Sequence, residues 1–113
     1  MSEPHLDGAV LSNLLSIMED EYPLLVETFL SDSEERLRSI REAAAACDAP
    51  ALRHAAHSFK GSCGNMGASV LSSLCKRLEE AARQNDLACA QGLIVKVEHE
   101  FGIVRTLLLP GCS

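Results

Sequence analysis

Hydrophobic residues recur along this 113-residue chain at intervals of three and four positions, which is the spacing of one face of an α-helix. The longest such stripe runs from Val26 to Cys47, and a similar one runs from Ala90 to Leu108. We find neither the alternation of a half-buried strand nor an internal repeat. The pattern therefore predicts an all-α protein.

Cap and turn residues divide the chain into one short helix and four long ones. Pro23 and Pro50 suit the first turn of a helix, and Gly67 suits the left-handed position after a last turn. Four side chains are placed to accept hydrogen bonds from the first backbone N–H groups of a helix: Asp20, Asp48, Ser69 and Asp86. The expected helices cover residues 6–18, 21–47, 50–66, 69–84 and 86–109.

The loops between the four long helices are short, and short loops make consecutive helices antiparallel neighbours. We therefore expect a single domain over residues 1–113, built as an up-down-up-down antiparallel four-helix bundle. The short N-terminal helix should form a lid over one end. The second helix should face the core through Val26, Leu30, Ser33, Leu37, Ile40, Ala44 and Cys47.

The composition agrees with a bundle and narrows the partners. With 47% hydrophobic but only 4% aromatic residues, the core should consist mainly of Ala, Leu, Val and Ile. A chain of this length can bury one core without disulfides or metal. The formal net charge of −6, without a basic stripe, argues against nucleic-acid binding and leaves a protein partner as the expectation.

The cysteines indicate the redox compartment. They occupy positions 47, 63, 75, 89 and 112, an odd number without a Cys-x-x-Cys pair. This arrangement favours reduced thiols over a disulfide framework or a zinc site. The N-terminus lacks a signal-peptide pattern, and no apolar run approaches the ~18 residues of a membrane span. We expect a cytoplasmic protein that does not enter a membrane.

One stretch of the third helix has two faces with opposite properties. The first face is an apolar row that should pack in the core: Leu52, Ala56, Phe59, Cys63 and Met66. On the opposite face His57 shares a row with Gly61 and Gly64, at i, i+4 and i+7, and Lys60 lies on its flank. A single imidazole therefore stands beside two positions that carry no side chain.

The two glycines should have a function, because a glycine inside a helix costs about 1 kcal/mol relative to alanine and the pair costs about 2 kcal/mol. Bare backbone beyond His57 would let another macromolecule approach the imidazole closely. Lys60 adds a cation suited to an anionic group, such as a phosphoryl group, on a ring nitrogen.

These residues resemble the signature of histidine-containing phosphotransfer (HPt) domains: His-x-x-Lys-Gly, then Asn-x-Gly-Ala, then a helix with Leu, Cys and Leu-Glu. Here the signature reads His57-Ser58-Phe59-Lys60-Gly61-Ser62, then Asn65-Met66-Gly67-Ala68, and then Leu71, Leu74-Cys75 and Leu78-Glu79. The resemblance extends from about Leu6 to Leu109. Phe59 stands where the family usually has leucine, a change that keeps a large apolar core residue.

The resemblance implies a stand-alone phosphorelay intermediate. His57 would be the phosphoacceptor, and Lys60 would stabilise the phosphoryl group. The donor would be an aspartate on a receiver domain of a hybrid sensor kinase, and the acceptor would be an aspartate of a response regulator. The surface on which receivers dock would include Gly61, Gly64, His54 and Asn65.

The sequence contains no nucleotide-cradling loop and no Ser/His/Asp arrangement, so the chain is not expected to make phosphohistidine from ATP or to act as a kinase. We expect a monomer without a cofactor of its own, because the receiver would supply Mg²⁺. The alternative function is a non-catalytic helical adaptor, which would need the same bundle but would not depend on His57.

The remaining histidines suggest no further site. His54-x-x-His57 offers two metal ligands, but the apolar stripes carry no carboxylate to complete a metal site, and we expect none. Glu98-His99-Glu100 should lie mostly on a solvated face, and His5 should lie in a frayed terminus.

Overall fold

The computed structural model describes residues 4–109, and within this range the chain is all-helical without strands, as predicted. A 3-10 turn at Glu19–Glu21 connects the first two helices. The α-helices are α1 (Gly8–Met18), α2 (Tyr22–Ala45), α3 (Ala49–Asn65), α4 (Ser69–Arg83) and α5 (Leu87–Leu108).

Aspartates begin three of these helices. The carboxylates of Asp48 and Asp86 each accept a hydrogen bond of 3.1 Å from a backbone N–H three residues later, as predicted for α3 and α5. Asp7 caps α1 in the same way, through the N–H of Ala9 at 2.9 Å. Gly67 follows α3 with φ of 73°, the left-handed conformation expected of it.

Two predicted caps are wrong. Asp20 lies in the 3-10 turn, which continues into α2, and the N–H of Tyr22 bonds to a backbone carbonyl of that turn, so no side chain is needed there. Ser69 is already the first residue of α4, and its own N–H bonds to the carbonyl of Gly67 at 3.0 Å. Its hydroxyl is one position too far along the chain, and the cap position is held by Ala68.

The end of α2 also differs from the prediction. The helix stops at Ala45, and Cys47 adopts φ of 53° in a turn whose next N–H, that of Asp48, bonds to the carbonyl of Ala43 at 2.9 Å. Cys47 is therefore exposed, although the stripe placed it in the core. Ala43 takes the inward position, and Ala44 is only partly buried.

The core lies between the four long helices. Each of them packs against the next in the chain, and α2 also packs against α5, so the four helices form a closed bundle. At its centre the rings of Phe59 on α3 and Phe101 on α5 meet edge to face, with centroids 6.3 Å apart. α1 contacts α2, and the N–H of Asp7 donates to the carbonyl of Gly67 at 2.7 Å, which ties the chain before α1 to the α3–α4 turn.

One carboxylate is buried against expectation. Glu100 on α5 is only 5% exposed, and its Oε2 lies 2.6 Å from Nδ1 of His5. A buried carboxylate needs a hydrogen-bond partner, and the segment before α1 provides one. The expected solvated face is therefore wrong for Glu100, and His5 is held in a contact instead of fraying.

No helix between residues 4 and 109 is both long and apolar enough to cross a lipid bilayer.

Candidate functional site

The two faces predicted for α3 are present. Leu52, Phe59 and Cys63 are fully buried, whereas the side chain of His57 is 64% exposed. α3 packs between α2 and α4, so its exposed face lies opposite the apolar row. The packing of the apolar row therefore fixes the direction in which the imidazole points.

A carboxylate from the neighbouring helix joins the imidazole to the lysine. Oε2 of Glu79 on α4 lies 2.9 Å from Nδ1 of His57, and its Oε1 accepts a hydrogen bond of 2.7 Å from Nζ of Lys60. The side chain of Glu79 is only 18% exposed, and that of Lys60 is 30% exposed. The site is thus a three-residue network built across α3 and α4.

Opposing effects act on the carboxyl of Glu79. Burial raises its pKa, whereas the hydrogen bonds from Lys60 and His57 lower it and together prevail, so the pKa lies below its ordinary value. Glu79 is therefore ionised at neutral pH and can only accept hydrogen bonds. It follows that Nδ1 of His57 carries the proton of this hydrogen bond, and that in the neutral ring Nε2 is the nitrogen with the lone pair.

The backbone around Lys60 is braced from α4. The hydroxyl of Ser72 donates to the carbonyl of Lys60 at 3.2 Å, twelve residues away in sequence. The same helix supplies Glu79, which holds the end of the lysine side chain. Both ends of Lys60 are therefore positioned by α4.

The glycines on the exposed face are open to solvent. A Cβ at Gly61 would meet nothing within 4 Å, and one at Gly64 would meet only the hydroxyl of Ser72 at 3.7 Å, an ordinary contact. Packing within the chain thus requires neither glycine. The bare surface next to His57 is available to an approaching molecule.

The other two predicted docking residues lie on separate surfaces. His54 lines an open groove together with His57, Glu79, Pro50 and Arg53. Asn65 lines a mostly apolar depression where α1, α2 and α3 meet. Of these two residues, only His54 therefore shares a groove with His57.

The thiols and histidines offer no second centre in the part of the chain that is described. Cys63 and Cys75 are buried, and burial raises the pKa of the Cys63 thiol far above its ordinary value, so it is not a nucleophile. Cys89 is exposed, and Cys112 lies outside the described residues. Between residues 4 and 109, no three His, Cys, Asp or Glu side chains are grouped so as to hold a metal ion.

Comparison with known proteins identifies the family. The family model described as "Hpt domain" matches residues 24–106, which is most of the chain and includes every residue of the network. This chain belongs to the Hpt domain family.

A solved structure closely resembles this Hpt protein. It is histidine-containing phosphotransfer protein B (HptB) from Pseudomonas aeruginosa PAO1, with 58% sequence identity and a TM-score of 0.91 over 95% of this chain and 93% of that one. Comparison with curated proteins gave no match. The family and this neighbour support histidine phosphotransfer in a phosphorelay as the activity of the Hpt protein.

Sequence reasoning missed the role of Glu79. The residue was visible as part of the Leu78-Glu79 motif, but no function followed from it. A signal was nevertheless present, because Glu79 lies four residues after Cys75 and three before Ala82, both of which are buried. A carboxylate in phase with an apolar stripe is partly buried and needs a partner.

Proposed function

We propose that His57 accepts a phosphoryl group from an aspartate of a receiver domain, in a hybrid sensor kinase, and passes it to an aspartate of a response regulator. The observation that carries the proposal is the pairing of Glu79 with Nδ1 of the exposed His57, 2.9 Å away. Because Nδ1 is occupied, the nucleophile is Nε2. It attacks phosphorus, the bond from phosphorus to the aspartate oxygen breaks, and the aspartate leaves as a carboxylate.

The chain contributes position and charge to this reaction. Lys60 stands one turn from His57, where its ammonium group can bind a phosphoryl oxygen. Gly61 and Gly64 leave room for the receiver to bring its aspartate to the ring. In this proposal the Hpt protein needs no cofactor, since the receiver carries the Mg²⁺ that offsets the charge of the transferring group.

We further propose a monomer that works in the cytoplasm, with α2 to α5 alternating in direction and α1 covering one end of the bundle. The short loops between the helices support the alternation. The bond from Asp7 to Gly67 supports the position of α1.

The test is transfer of radiolabelled phosphoryl groups from a panel of purified phosphorylated receivers to the wild type and to His57→Gln. We expect acid-labile, alkali-stable labelling of the wild type by some receivers. The variant should remain unlabelled with a nearly unchanged melting temperature, because the side chain is 64% exposed. Acid-labile labelling of His57→Gln would overturn the assignment, and binding of a receiver without transfer would favour the adaptor.

A further inference from the structure

Glu79 holds the cation that a phosphoryl group on His57 would need. Lys60 Nζ lies 2.7 Å from Glu79 Oε1, and the other oxygen of the carboxylate lies 2.9 Å from Nδ1 of His57. A phosphoryl group brings close to two negative charges at neutral pH. It would arrive beside a lysine whose charge is already shared, and close to a carboxylate that repels it.

The repulsion from Glu79 favours departure of the phosphoryl group, and the proton on Nδ1 favours it as well. When Nε2 forms its bond to phosphorus and Nδ1 keeps its proton, the ring becomes a cation, and the carboxylate of Glu79 stabilises that cation. The bond from Nε2 to phosphorus then breaks more easily, because the departing ring is a neutral imidazole instead of an anion. Both effects favour departure of the phosphoryl group.

We propose that Glu79 keeps the phosphoryl group on His57 transferable, by competing for Lys60 and by holding the phosphorylated ring in its protonated form. The inference rests on the proposed role of His57. Glu79 is a positioning residue, since it acts through His57 and Lys60 and does not touch phosphorus.

The test compares the wild type with Glu79→Gln, which keeps the size and an acceptor oxygen but removes the charge. Phosphoramidate serves as the donor: Nε2 bonds to phosphorus, the nitrogen–phosphorus bond of the donor breaks and ammonia leaves. The measured quantity is the rate at which purified phosphoprotein loses its label between about pH 5 and about pH 9, on either side of the usual histidine range. At neutral pH the variant should keep the group about fivefold longer, the effect of one partly screened charge near a dianion.

The pH profile separates this role from a structural one. Without the carboxylate the phosphorylated ring gives up its Nδ1 proton at lower pH. As pH is raised, the rate of label loss should therefore begin to decrease at a lower pH for Glu79→Gln than for the wild type. The wild type alone gives a second test, needed if the variant fails to fold. It should remain labile to higher pH than free phosphohistidine carrying the group on the same nitrogen, and coincident profiles would overturn the inference.

Glu80→Gln is the matched control. Glu80 is the next residue on α4, and its carboxylate bonds to Arg83 and Gln84, not to His57. This variant should match the wild type, so an equal gain in lifetime would show a general charge effect and overturn the role of Glu79. If the wild type takes up no label at His57 either from phosphoramidate or from any phosphorylated receiver, the proposed function itself fails. If it is labelled normally but Glu79→Gln has the wild-type lifetime, only the present inference fails.

Discussion

Replacing Gly61 with Gln should move stability and activity in opposite directions. A Cβ at this position meets nothing within 4 Å, so the new side chain can extend into solvent without strain. Glycine is about 0.5 kcal/mol less favourable than glutamine inside a helix, so the variant should be more stable by that amount. For a domain near 100 residues this corresponds to a rise in melting temperature of about 2–4 °C.

The same side chain should obstruct the approach of a receiver. Gly61 lies one turn beyond His57, and a misplacement of about 1 Å in a transfer reaction can cost up to about a hundredfold in rate. We therefore expect transfer from a phosphorylated receiver to slow by about tenfold or more. The assay is rapid-quench transfer at fixed ionic strength, alongside thermal melting of the same preparation.

Gly102→Gln provides the control for this experiment. Gly102 also lies inside a helix with nothing within 4 Å of its Cβ position, but on α5 and outside the network. It should gain the same stability while transferring at the wild-type rate. A Gly61→Gln protein that is more stable and fully active would show that the glycine has no access role. A less stable protein would show that its surroundings are not open.

Three further predictions test charge and capping. Lys60→Ala should slow transfer by about tenfold or more, because the lost cation is worth about 1 kcal/mol in partly screened surroundings and more once a receiver excludes water. His54→Ala should matter much less, and equal losses would place the phosphoryl group elsewhere. The lowered pKa of Glu79 means that its ionised form stabilises the fold above the ordinary carboxyl pKa, a contribution lost as pH falls through the lowered value. Melting temperature should thus fall more for the wild type than for Glu79→Gln on acidification, and parallel curves would contradict this. Asp48→Ala should lower the free energy of unfolding by about 1 kcal/mol, measured by chemical unfolding, whereas Ser69→Ala should leave it almost unchanged. An equal loss for Ser69→Ala would show that its hydroxyl caps α4.

The location of the imidazole was predictable because it depends on one helix. The period of 3.6 residues fixes which side chains share a face, so burial of Phe59 and Cys63 directs His57 outward. The caps at Asp48 and Asp86 were equally local. The predicted caps at Asp20 and Ser69 failed, because no side chain accepts a capping hydrogen bond at the start of α2 or α4, and backbone carbonyls are the acceptors there instead.

Pairings between distant residues were not predictable from periodicity. Glu79 meets His57 across 22 positions, and Glu100 meets His5 across 95. Which partner lies opposite a given carboxylate depends on how each helix is rotated and placed within the bundle. That arrangement results from packing of the whole core.

The two carboxylates nevertheless share a local feature. Like Glu79, Glu100 is in phase with an apolar stripe, three residues after Val97 and four before Val104, both of which are fully buried. Helical phase therefore predicts that such a carboxylate requires a partner, whereas tertiary packing decides which one it obtains. At Glu100 the partner is an N-terminal histidine, and at Glu79 it is the imidazole that is proposed to carry the phosphoryl group. The location of the imidazole thus follows from the sequence of α3, whereas the nitrogen proposed to react is the one that Glu79 of α4 does not contact.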